Sequence, residues 1–123
     1  MAAYLNDAIL DGGLTILDTL GDKLHICSAQ PANFAGVAAV DLGNKTSISI
    51  GAPADGTTNG RRVTVAAITG GSVTASGTAT HYAIVDTTNS RLLAANTLAA
   101  SQAVTSGNTF SLAAFDITIP DPA

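Results

Sequence analysis

The chain has no tryptophan, no glutamate and a single cysteine, and aromatic residues make up only 4% of it. Each shortage excludes something. Cys27 alone rules out an internal disulfide framework. It leaves a buried free thiol or a bridge between chains, of which the buried thiol is the better account. Charged residues amount to 11%, with all nine acids aspartate and a net charge of −4. The five basic residues are scattered apart from Arg61-Arg62, so no phosphate-tracking patch can be drawn and nucleic acid is not expected as a partner. No apolar run approaches the ~20 residues that span a bilayer, and no basic segment leads into an apolar one with a cleavage site. The expectation is a protein made in the cytoplasm, soluble, with no membrane partner.

What is abundant is alanine, threonine, serine and glycine. Apolar residues reach 46%, largely through alanine, so the core of this single domain is thin in buried area per residue. Burial stabilises by roughly 25 cal/mol per Å², which makes assembly with other chains a natural supplement. A surface of Thr, Ser, Asn, Gly and Ala suits close contacts between proteins.

Residues 3–20 carry helical spacing. Leu5, Ile9, Ile16 and Leu20 fall near one face, and Asp7, Asp11 and Asp18 on another. Asn6 or Asp7 suits the start and Gly21 the stop. Gly12-Gly13 costs roughly 1 kcal/mol per glycine against alanine, so a kink or two short pieces is expected there. Two roles stay open for this helix: packing on its own sheet, or lying as an arm on a neighbouring subunit. The division expected is an N-terminal helix or arm over residues 1–22 and a β domain over 23–123.

The β domain reads as short strands and polar turns. Residues 23–28 alternate around Leu24 and Ile26, and residues 32–43 read as a long irregular loop with Phe34 as an anchor. Residues 46–50 alternate as a half-buried strand. Residues 51–60 form a loop containing Asp55-Gly56 and Asn59-Gly60. Arg61 to Ile68 places Val63 and Val65 on one face, and Gly70-Gly71 turns the chain into a strand over 72–76. Residues 80–86 are apolar enough to be covered on both faces. They return through Thr87-Thr88-Asn89-Ser90 into residues 91–95, as a β-hairpin. Residues 98–104 are ambiguous. Residues 109–112 and 115–119 alternate again, with Phe110, Leu112, Phe115, Ile117 and Ile119 as core residues. The total predicts a mainly β fold, an antiparallel β-sandwich or barrel of about seven or eight short strands with an N-terminal helical arm.

Chemistry is sparse. A Cys27–His81–Asp86 constellation can be written down, but spacing alone does not support it. His25 and Cys27 share one side of a strand as metal ligands do, yet a zinc site needs more thiol or imidazole ligands than one further histidine supplies. Structural roles account better for His25, Cys27 and His81. Asp7, Asp11, Asp18 and Asp22 read as a solvated helix face, and Asp41, Asp55, Asp86 and Asp116 as turn or outward strand positions. Asn44-Lys45-Thr46 matches a glycosylation triplet that has no secretory signal to give it meaning. No phosphate-binding or dinucleotide motif occurs. No catalytic, cofactor-binding or metal-ligating residue is expected, and no cofactor; the chain is not expected to be an enzyme.

Gly60-Arg61-Arg62-Val63-Thr64-Val65-Ala66-Ala67-Ile68 and Ala79-Thr80-His81-Tyr82-Ala83-Ile84-Val85-Asp86 carry a resemblance. So do Arg91-Leu92-Leu93-Ala94 and residues 101–110, with a weaker echo in Tyr4-Leu5-Asn6-Asp7 and in residues 24–28. The pattern resembles small virion structural proteins of tailed bacteriophages and prophages, over roughly the last two thirds of the chain. It is a strand-and-turn likeness and carries no site residues. It implies a capsid decoration, or cement, protein on the capsid surface of a virion, made in the host bacterial cytoplasm. The partner it implies is the major capsid protein, with a homo-oligomer, trimer favoured. The alternative it leaves is a tail, fibre or head–tail component acting as a binding module.

Overall fold

A computed structural model describes residues 7–56 and 60–119. Helix α1 (Asp7–Leu20) leads into strand β1 (Lys23–Cys27), helix α2 (Phe34–Val40) and strand β2 (Asp41–Thr46). The rest is strand: β3 (Ala54–Asp55), β4 (Arg61–Val65), β5 (Ile68–Val73), β6 (Gly77–Asp86), β7 (Arg91–Val104), β8 (Thr109–Leu112) and β9 (Phe115–Ile119). Every pairing is antiparallel. One sheet runs β7-β6-β1-β2-β5-β8 and the other β3-β4-β9. The mainly β antiparallel fold with an N-terminal helix is therefore present, with nine strands among the described residues, one of them only two residues long.

The two sheets share one core. Leu24 and Ile26 of β1, Tyr82 and Ile84 of β6, and Phe110 and Leu112 of β8 meet Val63 and Val65 of β4. The six-stranded sheet also curls. β7 and β8 stand at opposite ends of its strand order, yet the Gln102 side chain of β7 donates from Nε2 to the Ser111 carbonyl of β8 at 3.0 Å. Strand twist accumulates in one direction, so a sheet of six strands brings its ends round towards each other.

β1 and β6 lie at the centre, and both their faces are covered. Alternate residues point to opposite sides, so Tyr82 and Ile84 enter the main core while Ala83 and Val85 emerge on the outer face. There Val37 of α2 covers them together with Cys27. α2 occupies the stretch expected to be an irregular loop. Asn33 starts it, its side-chain Oδ1 accepting from the Gly36 amide at 2.8 Å, as an N-cap asparagine does. Phe34 packs at the fringe of this outer cluster.

Three strand expectations shift for local reasons. The strand read at 46–50 lies earlier, at Asp41–Thr46, because Ser47 takes a positive φ of 56° and breaks the run; beyond it only Ile50 bridges to Val65. The expected turn at Gly70-Gly71 lies inside β5. Gly70 has φ 67°, the register against β8 slips between Ile68 and Gly71, and the Phe110 ring occupies the space a side chain at 71 would need. β7 runs on through the ambiguous 98–104 stretch to Val104.

α1 is one continuous helix through Gly12-Gly13, not two short pieces. It ends before Gly21, whose amide donates to the Leu17 carbonyl at 2.9 Å. Leu5 and Asn6 lie outside the described residues, as does the side chain of Asp7. The helix packs on its own sheet, and not through the stripe of Ile9 and Ile16: Leu10, Leu14 and Leu17 are buried, while Ile9 and Ile16 are 62% and 51% exposed. Leu14 and Leu17 belong to the main core. Arg61 of β4 fixes the helix from the side, with Nε and Nη2 on the two carboxylate oxygens of Asp11 at 2.7 and 3.2 Å and Nη1 on Asp55 at 2.6 Å. A fork on a carboxylate fixes orientation as well as distance, and Asp11's hydrogen bond above all raises the Arg61 pKa further.

Candidate functional site

The residues with chemical potential are partly brought together and then silenced. Cys27 of β1 pairs in register with His81 of β6 and, across a bulge, with Asp41 of β2, and His25 lies two residues away on the same side. This places four such side chains on the outer face beside α2. His25 Nδ1 lies 3.0 Å from Asp41 Oδ1, which also accepts from the Gly43 amide at 3.0 Å. The Thr80 hydroxyl donates to the Ser28 carbonyl at 2.9 Å and lies 2.8 Å from His81 Nδ1. Both bonds are satisfied when Nδ1–H donates to the hydroxyl oxygen. Cys27 is fully buried, and burial, with the charge of Asp41 second, pushes its thiol up to about 12. A nucleophilic cysteine needs the opposite shift.

Asp86 does not join them. It stands five residues from His81 on β6, about 16 Å along a strand, with its side chain on the other face. Its carboxylate is buried in the hairpin turn, accepting from the Thr88 and Asn89 amides at 3.1 and 3.3 Å, from Asn89 Nδ2 at 2.6 Å and from Arg91 at 3.2 Å. The Asn89 side chain above all, with Arg91 assisting, holds Asp86 below the usual carboxylate range. Asp86 is a turn-builder. Asp116 is likewise held low, first by the Thr64 hydroxyl at 2.7 Å and then by Arg62 at 2.8 Å. Among the described residues no group of three or more His, Cys or Asp could hold a metal ion.

Two other features have the geometry of contact sites. The first is the solvent side of α1. Ile9 and Ile16 lie two turns apart, with Gly12 between them and no atom within 4 Å of where its side chain would be. Beside them Gly13 faces Ile119 Cδ1, 3.5 Å from its own missing Cβ, so the apolar flank continues onto the edge strand β9. The helix thus has two apolar stripes, one spent on the core and one facing water.

The second is a groove of about 380 Å³ between residues 96–100 and Gln102 of β7 and residues 112–116 at the β8–β9 corner. Its floor is Tyr82 stacked on Phe115, with centroids 4.6 Å apart and planes inclined at 24°. The wall on the β7 side exists because the register slips. Ala79 pairs with Gln102 but His81 with Thr97, so residues 98–101 stand opposite Thr80 alone and bow out of the ladder. Bulges of this kind re-aim side chains at strand edges. Burial pushes the Tyr82 phenol up from its ordinary value, keeping it a neutral hydroxyl.

Sequence reasoning settles neither feature. The apolar stripe of Ile9 and Ile16 is visible in the sequence, which leaves open whether it meets the chain's own sheet or a neighbouring subunit. The groove depends on a register slip and on the curl of a sheet, which no local pattern reports; the one available signal was the scarcity of aromatics, two of which meet here. The chain matches no protein-family model, and neither a curated protein nor a solved structure is found to be similar to it.

Proposed function

We propose that this protein is a non-catalytic structural module of a phage virion, a capsid decoration protein that binds the major capsid lattice and stabilises it. The observation that carries the reading is the second apolar stripe of α1. Ile9 and Ile16 are the large hydrophobic side chains left exposed among the described residues, and they lie on one helix flank beside an open strand edge. Single exposed apolar residues are ordinary, but a grouped patch marks a contact surface. The neutral Thr/Ser/Ala exterior suits close packing against other subunits, and the strand-and-turn resemblance points to the virion. Self-association, as a trimer, belongs to the same reading.

The same helix fills the core with Leu14 and Leu17, so removing it would confound docking with folding. The informative variant changes the solvent side alone. Ile9→Ser combined with Ile16→Ser is expected to leave the thermal midpoint nearly unchanged and to reduce incorporation into particles. Quantitative mass spectrometry of purified virions reads that directly, as a ratio to the major capsid protein set by lattice sites. Full incorporation of the double variant would overturn the role of α1. Absence of the wild-type protein from particles would overturn the virion reading altogether.

A second reading, a tail, fibre or head–tail component acting as a binding module, draws on the groove over Tyr82 and Phe115. A handful of copies per particle, rather than a lattice-fixed number, would select it.

A further inference from the structure

We propose that the groove between β7 and the β8–β9 corner is a binding site for a neutral sugar ring. The proposal goes beyond the virion role and does not depend on it. Three observations carry it. First, Tyr82 is only 6% exposed, lines the groove, and its hydroxyl makes no hydrogen bond with any described residue. The ring is buried but the hydroxyl is not an orphaned buried group, since no buried side-chain nitrogen or oxygen among the described residues lacks a partner; it opens onto the groove, free to donate to and accept from a ligand.

Second, the surfaces around it match one chemistry. The half-buried Phe115 ring, backed by the stacked Tyr82 and flanked by Ala99, Ala113 and Ala114, presents an apolar bed for the C–H face of a pyranose. At the rim the Asn96 Oδ1 accepts from the Thr97 amide at 2.8 Å and from the Thr97 hydroxyl at 3.5 Å, which leaves the Asn96 NH2 to donate and the Thr97 hydroxyl oxygen to accept, the two roles a sugar hydroxyl complements. The volume of about 380 Å³ lies within the range of small-molecule pockets and holds one or two rings.

Third, the alternatives lack their requirements. Among the described lining residues Asp116 alone is charged, and it is already engaged by Arg62 and Thr64. Its negative charge disfavours acidic sugars and phosphates, and none of the described lining residues is a cation to receive them. An extended peptide needs a regular strand edge to add to, and residues 98–101 bow out of register at this very place.

Saturation-transfer NMR on the full chain tests this with the methyl glycosides of glucose, galactose, mannose and N-acetylglucosamine. Glucuronate, an Ala/Ser-rich extended peptide and glycerol serve as comparison probes. At least one neutral glycoside is expected to receive saturation, strongest at its ring C–H protons. Tyr82→Phe, which removes one oxygen from a ring that keeps its packing, is expected to weaken binding about fivefold to tenfold, the loss of one hydrogen bond. Ala113→Leu, at an exposed position, fills the groove and is expected to abolish binding while the thermal midpoint holds. The proposal is overturned if no neutral glycoside binds, or if both variants bind as the wild type does. It is equally overturned if glucuronate or the peptide binds as well as the best glycoside, or if glycerol does, which would mean adventitious polyol binding only.

Discussion

β6 and β7 are two arms of one hairpin, hydrogen-bonded to each other along most of their length, and they do opposite things. β6 is sealed: from Tyr82 to Asp86 every residue is buried, with the core on one side and α2 on the other. β7 is open. It is an edge strand of fourteen residues, half-exposed or exposed throughout, and it departs from its partner's register twice. A strand with two covered faces has one solution for its side chains and tolerates no slip. A strand with one partner can bow outward without losing its ladder, and that freedom makes the groove. The lesson is that rigidity and site-building are divided between adjacent strands.

The division can be attacked from either arm. On β6, Ile84→Ala is expected to destabilise the fold by about 2–5 kcal/mol, because a fully buried side chain leaves a cavity; chemical denaturation measures it, and a loss under 1 kcal/mol would mean that the strand is not sealed. On the outer face of the same central pair, Cys27→Ser is expected to cost about 1–3 kcal/mol by placing a hydroxyl among Val37, Ala83 and Val85. Wild-type Cys27 should resist alkylation until the protein unfolds. At the turn, the folded-state carboxyl of Asp86 titrates below its unfolded value, so the unfolded chain binds the extra proton. The stability it contributes is complete above the unfolded pKa and is lost as pH falls through the folded one. Asp86→Asn should flatten the stability profile below about pH 4 while changing little of its shape above pH 5. On β7, Ala99→Thr should shift stability by less than about 0.5 kcal/mol; a larger loss would show that the edge strand is as constrained as β6.

How much of this was written in the sequence follows from the same contrast. β6 announced itself, since a short apolar run with a polar four-residue turn has few other readings, and Phe110, Leu112, Val63 and Val65 sit in the core as their alternation required. α1 is legible along the chain, but not which of its apolar stripes meets the sheet. Leu10, Leu14 and Leu17 form a stripe as good as Ile9, Ile16 and Leu20, and only the tertiary partner decides which is buried. α2 escaped because Phe34–Val40 is small-residue-rich with a glycine inside it; its legible mark was Asn33. β2 was displaced by the left-handed backbone of Ser47, and β5 absorbed a glycine pair that usually turns a chain. Of the site, the outer-face neighbours His25, Cys27 and His81 stand out in the sequence, but what silences them is less legible: register brings Asp41 to His25, Thr80 engages the neighbouring His81, and burial raises Cys27. Tyr82 and Phe115 were read as strand and core residues, and only the meeting of β6 with β9 stacks them.

The arginines have one more effect. Arg61 serves Asp11 and Asp55, Arg62 serves Asp116, and Arg91 serves Asp86, so three of the five cationic side chains are spent on internal carboxylates. What a distant object meets is then a sparsely and negatively charged particle whose isoelectric point is near 4.6. Like-charge repulsion between copies is weak at neutral pH and vanishes close to that value. Colloidal behaviour should follow: crowding of many copies on one shell meets little electrostatic resistance, added salt changes it little, and mild acid brings the free protein out of solution.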